Sequence, residues 1–270
     1  TAHSYLAFGY DEVAHGLAME AERLAQSIKT ELFREWALGE MASLMAAVGE
    51  GAKANVMIAQ IGSAKNRVQA LCDIVIAELR GGREKRARQT LEFARSTMAA
   101  ISRPQERQQA RACLASSYAS LAEFEEALKQ ARAIKFGYTH SFVLNRIVLA
   151  MARNGDGAKA LDLAETIQDE KLRISTFVSM SGIARKRGNS QAAARLGAAA
   201  FKLARALTIP LDKAFVLADL GTAQAARGEI EAARATLSEA VGVAAKIADP
   251  WARARALSKA ASSLVAINGI

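Results

Sequence analysis

The feature that most constrains the fold of this chain is a spacing of glycine and alanine that recurs along its length. In the clearest copy, Gly155 is followed at the fifth residue by Ala160, at the ninth by Ala164 and at the twelfth by Ile167. Offsets of 5, 9 and 12 residues lie on one stripe of an α-helix, so the spacing predicts a helix that begins just after the glycine. Gly155 would supply the positive φ that ends the preceding helix, and Asp156 is a candidate N-cap for the next one.

The same turn recurs at intervals along the chain. The predicted turn residues are Gly9, Gly49, Gly82, Ala122, Gly155, Gly188 and Gly228, with a degenerate last copy at Asn268. Each of the first seven is followed at the fifth residue by alanine, and the intervals are 33 or 40 residues. The difference equals about two helical turns, which keeps the buried stripe in nearly the same phase. We therefore predict helix–turn–helix units, with a longer second helix in the longer units.

The helix that precedes each turn has its own pattern. Positions eleven and eight before the turn are large and apolar in most copies, as with Leu144 and Ile147 before Gly155. The residues seven before the turns are mostly small: Ala42, Val75, Ala115, Val148, Ser181, Gly221 and Ala261. Large residues followed by a small one allow one helix to press closely against its neighbour.

A helix–turn–helix unit of about 34 residues, with large then small positions in its first helix, Gly-Asp at the turn and alanine five residues after that glycine, resembles the tetratricopeptide repeat (TPR). The clearest copy spans residues 147–167. The resemblance implies an all-α, right-handed α-solenoid of about seven TPR-like repeats. A C-terminal capping helix would begin at Asp249 and Pro250, and residues 1–270 would form one continuous repeat domain. The chain departs from the family in its 40-residue units and its mostly missing terminal proline.

Composition agrees with a helical chain. Hydrophobic residues make up 51% and aromatic residues 6%, with three prolines, and no apolar run reaches the length of a membrane span. Cys72 and Cys113 are predicted to be free thiols, which fits the cytoplasm. The periplasm stays open if a signal peptide was removed before Thr1, where the chain begins in the middle of a unit.

Charge is unevenly distributed. Residues 1–50 carry a net charge of −5 and residues 51–270 a net charge of +14, a balance that attracts anionic partners. Fifteen residues before the turns stand basic side chains: Arg34, Arg67, Arg107, His140, Arg173, Lys213 and Arg253. This ladder could bind nucleic acid. The interpretation we favour is that its stems pack at the junctions between units and its head groups pair with nearby acids or with the last carbonyls of the preceding helix.

The resemblance also implies a binding groove, because the first helices of TPR superhelices line the concave side. Positions thirteen, nine, six and two before each turn would face it. The candidate partner-binding residues in or near these rows are Trp36, Phe142, Asn145, Arg146, Arg153, Lys186, Phe215 and Asp219. They either form a groove that seats apolar anchors and pairs acids, or they are solvated residues with part-buried aromatics. Asn145 and Arg146 lie where some TPR domains hold a chain terminus, but the other members of that clamp do not align.

Nothing in the sequence predicts catalysis. His3, His15 and His140 lie far apart without partners at metal-binding spacing, and we expect no catalytic residue, metal or cofactor. We predict a non-catalytic protein–protein interaction scaffold or adaptor that binds a segment of another protein, acidic segments included, and has no membrane span. One alternative is a nucleic-acid-binding helical-repeat protein that uses the basic runs 83–88 and 185–187. The other is a self-assembling scaffold, with the oligomeric state open.

Overall fold

The structure is a computed structural model that describes the backbone of residues 11–268, and within that range it contains fourteen α-helices and no β-strand. The helices are α1 (Asp11–Gln26), α2 (Glu31–Ala47), α3 (Gly51–Ala59), α4 (Ala64–Arg80), α5 (Glu84–Thr97), α6 (Pro104–Ser120), α7 (Phe124–Arg132), α8 (Gly137–Asn154), α9 (Gly157–Glu165), α10 (Glu170–Lys186), α11 (Ser190–Ala206), α12 (Pro210–Ala225), α13 (Ile230–Ala245) and α14 (Pro250–Asn268). The all-helical prediction is confirmed for these residues. The predicted turn at Gly9 and the histidine His3 lie outside them.

Even-numbered helices are the first helices of the predicted units and odd-numbered helices are the second helices. The first helices have 16 to 19 residues throughout. The second helices of the 33-residue units, α3, α7 and α9, have nine residues each. Those of the 40-residue units are longer: α1, α11 and α13 have 16 or 17 residues, and α5 has 14 residues before a 3-10 turn. The extra residues of the longer units therefore extend the second helix, as the spacing predicts.

Six residues at the turns have a left-handed backbone. They are Gly49, Gly82, Ala122, Gly155, Gly188 and Gly228, with φ between 60° and 109°. At the first of these turns the Glu50 N–H donates to the Met45 carbonyl across 2.8 Å, the hydrogen bond that closes a helix end of this type. Five of the six are glycine because a Cβ is strained at positive φ. Ala122 adopts the same turn with that strain.

The chain divides into two compact units, residues 1–154 and residues 155–270. In the first unit α2, α4, α6 and α8 pack side by side in this order, and α3, α5 and α7 each pack on the first helix that precedes them. In the second unit α10 packs with α11, α12 packs with α13, and α14 packs on both α12 and α13. Helices thus pack in neighbouring pairs, and the single continuous array over residues 1–270 stays a prediction.

The alanines that follow the turns lie in the helix interfaces. The six whose side chains the structure describes are at most 2% exposed: Ala54, Ala87, Ala127, Ala160, Ala193 and Ala233. Opposite Ala233, the small residue Gly221 brings α12 against α13, and a Cβ at residue 221 would lie 3.3 Å from the Ala233 carbonyl oxygen. The buried stripe predicted from the spacing is therefore present in both units. No described helix is both long enough and apolar enough to cross a membrane.

The predicted helix caps are confirmed in one case and wrong in another. Asp249 precedes α14, and its carboxylate accepts the Ala252 N–H at 2.7 Å. Asp156 stands at the N-cap of α9, but its side chain makes no capping hydrogen bond. The N-cap backbone of Asp156 has φ of −82° and ψ of 47° rather than the extended form that most N-caps adopt.

Candidate partner-binding face

The first helices of the first unit share a solvent-facing side, which we call the first-helix face. It consists of the residues thirteen and nine before each turn: Trp36, Gln69, Gln109 and Phe142, then Glu40, Asp73, Cys113 and Arg146. Each of these eight is exposed or half-buried, whereas Leu38, Leu71 and Leu144, eleven before their turns, are buried. On these helices, the residues thirteen and nine before the turn therefore face solvent, while the leucine eleven before it faces the core.

Two of these helices enclose a groove, which we call the α2–α4 groove. Its volume is about 650 Å³, and it is lined by Leu32, Phe33, Glu35, Trp36, Gly39, Glu40, Lys65, Asn66, Gln69, Ala70 and Asp73. Trp36 is 67% exposed at its rim, and Leu32 and Phe33 are also exposed. One wall is therefore apolar, and acidic side chains lie beside it. Sequence reasoning found Trp36 but did not predict Leu32 and Phe33 as part of the site.

The buried carboxylate of Glu35 lines the groove between α2 and α4. Glu35 of α2 accepts the Ser63 N–H at 2.9 Å and the Asn66 side-chain amide at 2.7 Å, so it caps the N-terminus of α4 from a neighbouring helix. Burial by itself would raise the pKa of Glu35, but the hydrogen bonds from Asn66, Ser63 and the Gly62 backbone outweigh it and hold that pKa below its usual value. Glu35 therefore fixes α2 against α4 and is already satisfied within the chain.

The acidic side of the groove connects to a polar network. The Gln69 amide donates to both carboxylate oxygens of Asp73 at 3.2 Å, and the Cys113 thiol donates to the Gln69 amide oxygen at 2.7 Å. Burial raises the pKa of Asp73 against the lowering effect of Gln69, and the nearby charge of Glu40 raises it further. The hydrogen bonds of this network therefore join α4 to α6, and Glu40 of α2 acts on Asp73 through its charge.

Both cysteines are free, as predicted. Cys72 is buried, and the hydrogen bond to Cys113, together with burial, raises the pKa of its thiol well above the ordinary value. Cys72 therefore stays a neutral thiol. Cys113 is half-buried at the edge of the network.

Two candidate residues of α8, Phe142 and Arg146, lie on the same face. Phe142 is 41% exposed, and the Arg146 guanidinium lies 6.0 Å from the centre of its ring. Asn145 is half-buried and Arg153 is exposed near the end of the helix. The structure thus brings Phe142 and Arg146 together as an aromatic and a cation. Lys186 belongs to the second unit, where it is the exposed last residue of α10.

In the second unit, the candidate residues Phe215 and Asp219 already have partners. Phe215 of α12 is half-buried beneath Arg255, whose guanidinium lies 5.6 Å from its ring centre and 4.9 Å from that of Trp251. Asp219 forms a 2.7 Å salt bridge with Lys259. Each pair occupies matching positions of neighbouring first helices, thirteen and nine residues before their turns. Reading these rows across consecutive helices would have revealed both pairs from the sequence.

Four of the seven members of the basic ladder point into the helix junctions, as the favoured interpretation predicted. The head groups of four members donate to carbonyls at the end of the preceding helix or just after it: Arg67 to Gly62 at 3.3 Å, Arg107 to Ile101 at 2.5 and 3.1 Å, Lys213 to Arg205 at 2.5 Å, and Arg253 to Ile247 at 3.3 Å. A cation at the negative end of a helix dipole stabilises that end. These side chains therefore serve folding.

Three members of the basic runs also have hydrogen-bond or salt-bridge partners within the chain. Arg83 donates to the Ala46 and Ala47 carbonyls, Arg88 pairs with Glu84 and Glu123, and Arg185 pairs with Glu229.

Among the described residues 11–268, no group of three His, Cys, Asp or Glu side chains is placed to hold a metal ion.

Comparison with known proteins gives a distant structural likeness. No protein-family model matches the sequence, and no curated protein matches it. A similar solved structure is that of Ton1535 from Thermococcus onnurineus NA1, which shares 13% identity with a TM-score of 0.38 and covers 92% of this chain and 85% of that chain. At this identity and TM-score the likeness assigns neither family nor function.

Proposed function

We propose that this protein is a non-catalytic, TPR-like interaction scaffold whose first-helix face binds a segment of another protein. The repeated positive-φ turns, the first helices of nearly constant length and the buried alanine row support TPR-like repeats in both units. The proposed architecture is a right-handed α-solenoid of about seven repeats, as the sequence pattern predicts.

The observation that carries the proposal is the exposed aromatic wall of the α2–α4 groove. Trp36, Phe33 and Leu32 expose most of their side chains around a cavity of about 650 Å³. Burying apolar surface contributes about 25 cal/mol per Å², so leaving a tryptophan and a phenylalanine in water forgoes several kcal/mol. Tryptophan is also among the residues that contribute most when an interface forms. A partner that covers this wall recovers that free energy.

Nucleic-acid binding has less support than protein binding. The Arg107 and Lys213 head groups donate to helix carbonyls, and Arg88 and Arg185 pair with glutamates, so these cations already have partners within the chain. The groove itself contains acidic side chains, which repel phosphate. Self-assembly uses the same kind of apolar surface and is an outcome of the test below.

Site-specific photo-crosslinking in the organism of origin tests the proposal. A photoreactive phenylalanine analogue replaces Trp36 or Phe142 on the first-helix face. Matched controls place it at Val56 of α3 or Phe93 of α5, which are 62% and 50% exposed on second helices. The proposal predicts a crosslinked partner protein from the first pair and none from the controls. Equal crosslinking from all four positions would contradict it, and crosslinks to the same chain alone would favour self-assembly instead.

A further inference from the structure

We infer that the segment bound in the α2–α4 groove is basic: an apolar side chain seats on the wall formed by Leu32, Phe33 and Trp36, and arginine or lysine side chains from the partner reach Trp36, Glu40 and Asp73. The inference rests on the proposed function and specifies the chemistry of the partner.

The second unit contains a filled version of the same arrangement. On α12 and α14, the residues thirteen before the turns form an aromatic and arginine stack, Phe215 with Arg255. The residues nine before the turns form a salt bridge, Asp219 with Lys259 at 2.7 Å. Side chains at these matching positions of neighbouring first helices are therefore within reach of each other, or of a charge placed between them.

On α2 and α4 the corresponding positions lack the cations. Trp36 supplies the aromatic ring, but Gln69 stands where α14 has Arg255. At the nine-before positions both residues are acidic, Glu40 and Asp73, so they cannot pair with each other. The two cations that complete this arrangement on α14 have no counterpart on α4, and a partner can supply them.

The state of Asp73 agrees with this assignment. Its carboxylate accepts hydrogen bonds from the neutral amide of Gln69, while burial and the charge of Glu40 raise its pKa. A partner cation between Glu40 and Asp73 removes this repulsion and forms charge-assisted hydrogen bonds, which are stronger than the bond from an amide.

Local charge outweighs the net charge of the chain at this site. The chain as a whole carries +9, which by itself favours anionic partners. Exposed charges are screened over about 8–10 Å at physiological salt, whereas a side chain in the groove contacts the carboxylates directly. The lining contains one cation, Lys65, against Glu35, Glu40 and Asp73, and Glu35 is held by Ser63 and Asn66.

Fluorescence anisotropy with synthetic peptides and the full chain tests the inference. The probe is a labelled amphipathic peptide of leucine and arginine, LRRLLRLLRRLLRL, and its charge-reversed counterpart has glutamate in place of arginine. At about 0.15 M salt the arginine peptide should bind at least about tenfold more tightly than the glutamate peptide. In the double variant Glu40→Gln with Asp73→Asn, the arginine peptide should lose about tenfold or more in affinity.

The matched control changes the same number of charges elsewhere in the first unit. Glu12→Gln with Glu125→Gln removes two exposed acids outside the groove and should change affinity by less than about twofold. Circular dichroism and thermal unfolding establish that each variant is folded. An equal loss in the control and groove variants would overturn the inference, because non-specific charge attraction would then explain binding.

Trp36→Ala separates the inference from the proposed function. Loss of arginine-peptide binding in this variant supports both. If the glutamate peptide binds more tightly and Trp36→Ala abolishes that binding, the basic-partner inference is wrong and the groove proposal stands. If Trp36→Ala changes the binding of neither peptide, both fail for this groove.

Discussion

The contact between α12 and α13 gives a sharp test of the packing, because Gly221 lies where an added methyl group has no room. A Cβ on residue 221 would lie 2.7 Å from Leu237 Cγ, 3.0 Å from Leu237 Cδ2 and 3.3 Å from the Ala233 carbonyl oxygen. Carbon atoms in contact are normally about 3.5–4.0 Å apart. Leu237 is fully buried, so it has no open side into which it could move. Gly221→Ala should therefore force the two helices apart.

Two opposing effects decide the size of the change. Alanine in place of glycine inside a helix stabilises by about 1 kcal/mol. Overpacking a close interface costs about 1–3 kcal/mol, and the contact with the backbone of α13 favours the upper part of that range. We expect Gly221→Ala to lower the free energy of unfolding by about 1–2 kcal/mol. Gly242→Ala in α13 is the matched control, since a Cβ there meets nothing within 4 Å. It should stabilise the protein by up to about 1 kcal/mol.

Urea unfolding followed by far-UV circular dichroism measures both variants against the wild type. A second measurement uses Leu237→Ala as the background, in which the added methyl group finds space. There the penalty of Gly221→Ala should largely disappear, giving a coupling free energy of about 1–2 kcal/mol between the two positions. If Gly221→Ala is as stable as Gly242→Ala, α12 and α13 do not approach as closely as described and the small-residue row has another role.

Three other changes test separate parts of the structure. Ala122→Gly should raise the free energy of unfolding by about 0.5–1 kcal/mol, because glycine removes the strain at φ 60°, and no gain in thermal melts would mean that this turn is not left-handed. Glu35→Gln should cost about 1–2 kcal/mol at neutral pH. Because the pKa of Glu35 is lowered on folding, that gap should shrink as the pH falls below its usual value of 4.5, and a gap independent of pH would contradict the assignment. Arg107→Met keeps the stem but removes the bonds to Ile101, so it should cost about 1–2 kcal/mol in urea unfolding, and an unchanged midpoint would refute the junction role.

Most of the helical framework could be predicted from the sequence because it follows local rules. The positive φ of Gly155, the burial of Ala160 and the added length of α11 each depend on spacing within one or two helices. Heptad-sized insertions keep the phase of the buried stripe, so the pattern remained readable across units of two lengths.

The details of the groove could not be predicted in this way. Glu35 caps α4 from α2, and Cys113 reaches Gln69 from the next first helix, so both contacts depend on how neighbouring helices face each other. The N-cap at Asp156 was also beyond prediction, because this favourable residue stands at the start of α9 and yet makes no capping hydrogen bond. The salt bridge between Asp219 and Lys259 could have been predicted from the sequence, because the two residues occupy the same position in consecutive units.

The central claim is that the exposed wall at Trp36 is covered when a partner segment binds. The chain has two tryptophans, so Trp251→Phe leaves Trp36 as the single indole reporter. Trp36 is 67% exposed in the free chain and should be readily quenched by acrylamide. Titration with the leucine and arginine peptide should shift its emission to shorter wavelength and protect it from quenching, with the same midpoint as the anisotropy curve. Saturating peptide binding that leaves the emission and quenching of Trp36 unchanged would contradict the account.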